Sequence, residues 1–302
     1  MKKILVSACL GLLACSGSDP SEPAQRTVSE SAAVTTGAQN GDPPIYLAVG
    51  DSISMGFNPF TVAHTPQAYV GFPEYLARAI AIAHTNAGCK GETTSSYLSA
   101  AAPDIGCRDL KAAGLVRAGY TVTQSDFVAA FLQSHSRIKL VTFQLGINDA
   151  LLTLLACNNA PDPPTCIGTN LPGTFQKITD NLVMILGTIR SLYGGQIVVP
   201  QYYDPFPTVS PLVTLVVSTI NGILGQIAAG AGAQVVNVNA AFAAASAGFG
   251  GDPCAAGLLI PLTSFNSSVI TVPGAHCDVH PTPTGAQLIA NTLAPVVSYR
   301  GN

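Results

Sequence analysis

Short apolar runs alternate with stretches of helical periodicity from about residue 44 to the end of the chain. Ile45 to Val49 is apolar throughout, as a buried strand is. Leu140 to Leu145, Gln196 to Tyr203 and Gln234 to Asn239 read as further strands. Between them, Gly71 to Ala83 carries Phe72, Tyr75, Leu76 and Ile80 at helical spacing. Ser125 to His135, with Ser125 as its N-cap, reads as a second helix. Helices follow over 174–193, roughly 209–229 and 283–297. Strands separated by helices imply right-handed crossovers and a parallel sheet. The 209–229 segment has no charge over a membrane-like length. Its Thr, Ser, Asn, Gln and two glycines make it a largely buried crossover helix instead. Residues 150–172, with Cys157, Cys166 and four prolines, read as an insertion between sheet elements. That insertion and the Phe57 to Phe60 stretch are candidate cleft walls, and a disulfide-tied surface loop is the alternative for the insertion.

The N-terminus departs from this alternation. Lys2 and Lys3 form a charged region, and Ile4 to Ala14 an apolar one too short to span a bilayer. Leu12 to Cys15 resembles a bacterial lipobox, in which the cysteine is diacylated and becomes the mature N-terminus. Ordinary secretory cleavage nearby is the alternative. Ser16 through Pro43 is rich in Ser, Pro, Thr, Glu and Gly without hydrophobic periodicity, hence a flexible tether. Its root-mean-square reach is roughly 30 Å. The expected organisation is a signal segment over 1–15, a tether over 16–43 and one domain over 44–302.

Composition narrows the compartment and the partners. Of 302 residues, 48% are apolar and only 10% charged, with a net charge of −3, so a dense basic face for nucleic acid is excluded. Setting aside Cys9 and Cys15, six of the eight cysteines remain: Cys89, Cys107, Cys157, Cys166, Cys254 and Cys277. An even number in an exported chain implies a disulfide framework, with fifteen connectivities open.

Four polar blocks stand at strand ends or loop heads. Gly50-Asp51-Ser52 ends the first strand, where open α/β sheets bind their ligands. Asn86 to Thr93 is a Gly-bearing loop containing Gly91. Gly146-Ile147-Asn148-Asp149 follows the 140–145 strand, and Asp278-Val279-His280-Pro281 precedes the last helix. Taken singly, each block has a plain reading as a turn, a cap or a loop histidine. Together, in that order, they resemble the SGNH (GDSL) hydrolase family across nearly all of the chain from residue 44.

The resemblance implies a flavodoxin-like three-layer α/β/α sandwich with a central parallel sheet. It implies Ser52 as nucleophile and His280 as the base that takes its proton. The oxyanion donors fall on the Ser52 and Gly91 backbone N–H groups and the Asn148 side-chain amide. The family usually spaces its acid three residues before the histidine, whereas Asp278 precedes His280 by two. Asp278 or a backbone carbonyl is therefore expected to orient the imidazole. Neighbour pairing of the cysteines, 89–107, 157–166 and 254–277, is the simplest arrangement, and similarity to secreted three-disulfide lipases implies the same. Cys89 and Cys277 would then pin the loops carrying Gly91 and His280.

The expected activity is hydrolysis of carboxylic esters, acyl lipids or short-chain esters, by a monomer without cofactor. The membrane is reached through a lipid on Cys15, as a bacterial cell-envelope lipoprotein at the outer membrane or cell surface, or else the protein is secreted. Carbohydrate O-acetyl esters are an alternative substrate, and a catalytically idle surface-binding lipoprotein is the alternative outside enzymes. His276, Cys277, Asp278 and His280 lie close enough for a metal site. Lacking a second ligand cluster, and with Cys277 assigned to a disulfide, they are not expected to hold one. Gly230-Ala231-Gly232 precedes a strand and is no dinucleotide fingerprint.

Overall fold

β1 (Ile45–Gly50) is buried along nearly its whole length, as a central parallel strand covered on both faces must be. The computed structural model describes residues 43–61, 65–262 and 272–300. It places β1 in a sheet with β2 (Ala83–Asn86), β3 (Ile138–Gln144), β4 (Gln196–Pro200) and β5 (Gln234–Val236). The order is β2-β1-β3-β4-β5 and every pairing is parallel. This is the flavodoxin-like order, with its switch point between β1 and β3. Gly50 pairs with Gln144, so the two central strands end level at the edge that carries Ser52 and Asn148. A separate antiparallel ribbon joins β6 (Leu259–Pro261) to β7 (Cys277–Pro281). The expected signal segment, nearly all of the tether and Cys15 lie outside the described residues.

Ten helices complete the described fold: α1 (Ser52–Met55), α2 (Phe72–Ala79), α3 (Thr94–Leu98), α4 (Cys107–Ala112), α5 (Gln124–Ser134), α6 (Ile147–Asn158), α7 (Pro163–Leu192), α8 (Pro211–Gly230), α9 (Val238–Ser246) and α10 (Pro283–Leu293). α2 and α9 pack on α10, while α3, α5, α6 and α8 gather around α7. These two groups are the outer layers of the sandwich.

Several elements differ from expectation. The first long helix stops at Ala79, and Ala81, at φ 53°, turns the chain into the edge strand β2. α5 is capped by Thr123, whose side chain accepts from the Asp126 N–H at 3.0 Å, rather than by Ser125. The 150–172 segment is helical, not a loop. Pro163 and Pro164 occupy the first turn of α7, where missing N–H groups cost nothing. α8 is not largely buried. Val216, Val217, Ile220 and Leu224 face inward, while Leu212 and Leu215 are 37% and 60% exposed. Among the described residues it is the one helix long and apolar enough to cross a membrane, yet its buried face packs on α7, β4 and β5.

Three disulfides are present: Cys89–Cys107, Cys157–Cys166 and Cys254–Cys277. They point to an oxidising, extracytoplasmic compartment. The last one spans 23 residues of sequence and ends beside Asp278. Replacing Cys254 and Cys277 together by alanine should cost about 3 kcal/mol. Thermal melts should then fall by roughly 5–10 °C, and a melting point within a degree of wild type would contradict this.

Candidate active site

Ser52 is the first residue of α1, directly beyond the buried end of β1, and Asp51 is the helix cap. Asp51 Oδ1 accepts from the Ile53 N–H at 2.9 Å, and Oδ2 accepts from the Tyr202 hydroxyl at 2.7 Å. Asp51 is wholly buried, which lifts its carboxyl to about 6. The bonds from Tyr202 and Ile53 and the charge of His280 pull the other way. Gly50 leaves no room for a side chain, because a Cβ there would lie 2.3 Å from Ser54 Oγ and 2.9 Å from the Gln144 carbonyl. The Gln124 amide binds both sides of this residue: Gly50 N–H donates to Oε1, and Nε2 donates to the Gly50 carbonyl, each at 3.0 Å.

The opposite wall comes from the loop after β2. Gly91 has φ 76°, and a Cβ on it would lie 2.1 Å from the Ile105 carbonyl, so only glycine fits. Cys89–Cys107 brackets this loop. Next to it, Glu92 is fully buried, paired with Lys111 Nζ at 3.3 Å and bonded by Ser96 Oγ and Gln124 Nε2. Burial pushes its carboxyl upward, and Lys111 and Ser96 oppose that shift. The Glu92 main-chain carbonyl accepts from Asn148 Nδ2 at 2.9 Å. One amide hydrogen of Asn148 is thus committed to the loop, and the second remains available to a ligand. Asp149 fixes the same junction from the other side, accepting from the Thr94 N–H and hydroxyl at 2.8 and 2.7 Å.

Asp278 and His280 both lie on strand β7. The two-residue spacing therefore puts their side chains on one face, because strand side chains alternate. Asp278 Oδ1 bonds the Nδ1 of His280 and also accepts from the His280 N–H at 3.0 Å. A carboxylate, not a backbone carbonyl, holds Nδ1, which leaves Nε2 as the nitrogen facing chemistry. Phe57 meets the imidazole edge-on, with ring centroids 5.1 Å apart. Cys277 is bridged to Cys254, so the 276–280 cluster offers no thiolate to a metal.

All five residues meet in one cleft. Ser52, Gly91, Asn148, Asp278 and His280 line a cavity of about 1080 Å³, the open mouth included. Its other walls are almost entirely apolar: Leu151 and Leu154 of α6, Val213, Val216 and Val217 of α8, and Phe206. Both segments expected to wall it contribute, Phe57 and Pro59 from one and Leu151 and Leu154 from the other. Glu92, Gln124, Tyr202 and Tyr203 were given no role by sequence, and Asp51 entered only as the middle of the Gly50-Asp51-Ser52 turn. The tyrosines had a signal there, as polar-tipped rings at the end of the third apolar run.

The buried Asp51 makes stability depend on pH in a defined sense. Its folded value lies above the ordinary 3.8, so its contribution is fully present below about pH 4 and is lost as pH rises through about 6. Asp51→Asn, a neutral isostere, removes that loss. Between pH 4 and pH 7 the variant should gain up to about 3 kcal/mol relative to wild type in urea unfolding. Parallel stability curves for the two proteins would show that Asp51 is not held in this way.

Comparison with known proteins identifies the fold and the family. An acetylxylan esterase from Geobacillus stearothermophilus aligns over 86% of this chain and 96% of its own, at 17% identity and TM-score 0.51. A lipase from a goat rumen metagenome aligns over 85% and 98%, at 15% identity and TM-score 0.50. At such identities the likeness is one of fold. No curated protein matches the chain by sequence. Residues 48–288 match the GDSL-like lipase/acylhydrolase family, which spans β1 through most of α10. The chain belongs to that family and is an ester hydrolase.

Proposed function

We propose that the protein is an exported serine esterase of acyl lipids or other apolar esters, acting without a cofactor. The observation that carries this reading is a cleft that gathers the groups of ester hydrolysis and whose remaining walls, apart from Lys90, Tyr202 and Tyr203, are hydrocarbon. Ser52 Oγ attacks the ester carbonyl carbon while His280 Nε2 takes its proton. Asp278, bonded to Nδ1, holds the tautomer and the ring orientation. The carbonyl oxygen becomes an oxyanion, met by the Ser52 and Gly91 backbone N–H groups and the free Asn148 hydrogen. Collapse expels the alcohol, which receives the proton from His280. Water then attacks the acyl-serine through the same base, releasing the acid and restoring Ser52.

Apolar walls favour an acyl chain over a sugar. An acetyl group on a carbohydrate would need polar side chains for the ring hydroxyls, and beyond the five reacting residues Lys90 is the charged side chain at the cleft. Exposed Val209, Leu212 and Leu215 continue the hydrocarbon surface outward from Val213 and Val216. We place the enzyme in the bacterial cell envelope through a lipid on Cys15, a reading that rests on the sequence around it.

Ser52→Ala and His280→Ala should abolish hydrolysis. Asn148→Ala should lower kcat by about 10²–10³ with little change in KM. Asp278→Asn should cost about 10⁴ in kcat, since the carboxylate itself engages Nδ1. A tenfold loss or less would return that role to another group.

With p-nitrophenyl esters, kcat/KM should rise from acetate to octanoate, by roughly 10-fold or more as methylenes enter the apolar cleft. A preference for acetate, or for acetylated xylan, would favour the carbohydrate alternative.

Cys15→Ser should move the protein from the membrane fraction to the soluble one. Wild-type protein already soluble in the medium would point to ordinary secretory cleavage.

A further inference from the structure

Two consecutive tyrosines beyond the end of β4 each reach a different half of the site. The Tyr202 hydroxyl donates to Asp51 Oδ2 at 2.7 Å, next to Ser52. The Tyr203 hydroxyl donates to the Val279 carbonyl at 2.6 Å, between Asp278 and His280. We propose that Tyr202 and Tyr203 are positioning residues that hold the nucleophile turn and the histidine strand in register for the proton transfer between Ser52 and His280. The proposal rests on the serine-esterase reading.

Among the described residues, neither a disulfide nor a sheet pairing joins these two halves directly. Ser52 follows the five-stranded sheet, whereas His280 belongs to the two-stranded ribbon. Adjacent residues of one chain have a fixed spacing, so a pair of struts springing from them transmits that spacing to both anchors. The base of the struts is itself pinned. Asn221 of α8 accepts from the Tyr202 N–H and donates to the Tyr202 carbonyl, both at 2.8 Å. The Tyr203 ring stacks on Phe242 of α9, with centroids 4.1 Å apart and planes 6° from parallel. Asp204 continues the anchoring, accepting from Thr214 at 2.5 Å while its N–H donates to Asn239.

A buried tyrosine needs some partner for its hydroxyl. Here, however, the partners are the residue before the nucleophile and the residue before the base. Both tyrosines are buried, which pushes both phenols well above their ordinary range. They remain neutral donors at any working pH. Both rings also line the cleft, and their hydroxyls act through Asp51 and Val279.

Tyr202→Phe and Tyr203→Phe remove the hydroxyl and keep the ring. Each should lower kcat on p-nitrophenyl butyrate about tenfold, the rate equivalent of one net hydrogen bond, with KM within about twofold. The rate at which a p-nitrophenyl phosphonate labels Ser52 should fall in parallel, because that reaction needs the same proton transfer but no ester turnover. Unchanged kcat and labelling with a lowered melting temperature would reduce the pair to ordinary core packing and overturn the proposal. So would a raised KM at constant kcat, which would mean substrate contact. If either variant fails to fold, Phe242→Leu loosens the Tyr203 ring and leaves its hydroxyl in place. It should lower kcat about threefold at constant KM, and an unchanged kcat counts against the struts. Wild-type protein that the phosphonate leaves unlabelled at Ser52 would instead sink the esterase reading.

Discussion

The Gln124 side-chain amide closes on both the N–H and the carbonyl of Gly50, and the geometry of the site hangs from that pair of hydrogen bonds. Gly50 is the last residue of β1, and its neighbours leave no space for a Cβ. The Gly50 carbonyl also accepts from the Cys89 N–H at 3.1 Å, and the cost of an unmet buried peptide group at a strand end is high. Gln124 meets that need from the first turn of α5 and passes its remaining donor to Glu92. The Glu92 carbonyl in turn orients Asn148. A continuous chain of buried hydrogen bonds thus runs from the nucleophile turn to the amide on the far wall. Such networks are strong when complete and costly when broken at any member.

Much of this frame was readable from pattern. β1, β3, α5 and α10 announced themselves because a buried strand is apolar throughout and a layer helix is apolar on one face. β2 was not legible, because Ala83–Asn86 is a short edge strand whose partly exposed positions carry His84 and Thr85. The α6–α7 hairpin was hidden by its prolines, two of which in fact begin a helix. α9 was missed because alanines and asparagines after Val236 continue the strand pattern without any charged face to mark a turn.

The site divides along a similar line. Ser52, Gly91, Asn148 and His280, which the fold brings into one cleft, could be named as candidates because each sits in a local motif whose chemistry needs that residue type. The orientation of His280 could not be decided, since a two-residue spacing means opposite things on a loop and on a strand. On β7 it aligns the two side chains, and Pro281 favours the extended backbone that keeps them so. Gln124, Glu92, Tyr202 and Tyr203 act across separations of 32 to 151 residues. No local spacing encodes such contacts; only the crossover topology brings them together.

α6 carries Asn148 and, one turn later, the cleft residues Leu151 and Leu154. α8 carries the cleft residues Val213, Val216 and Val217 and, one turn later, the Asn221 that grips Tyr202. The two main walls of the hydrocarbon cleft and two of the groups proposed to govern reactivity are therefore mounted on the same rigid rods. A substitution that reshapes either wall to admit a different chain tilts a helix, and with it a donor or an anchor. Choice of substrate and speed of turnover are consequently coupled traits in this enzyme. Divergence toward new esters is easier through Pro59 and Phe206, which border the cleft outside those two helices, than through Phe57, whose ring packs on His280.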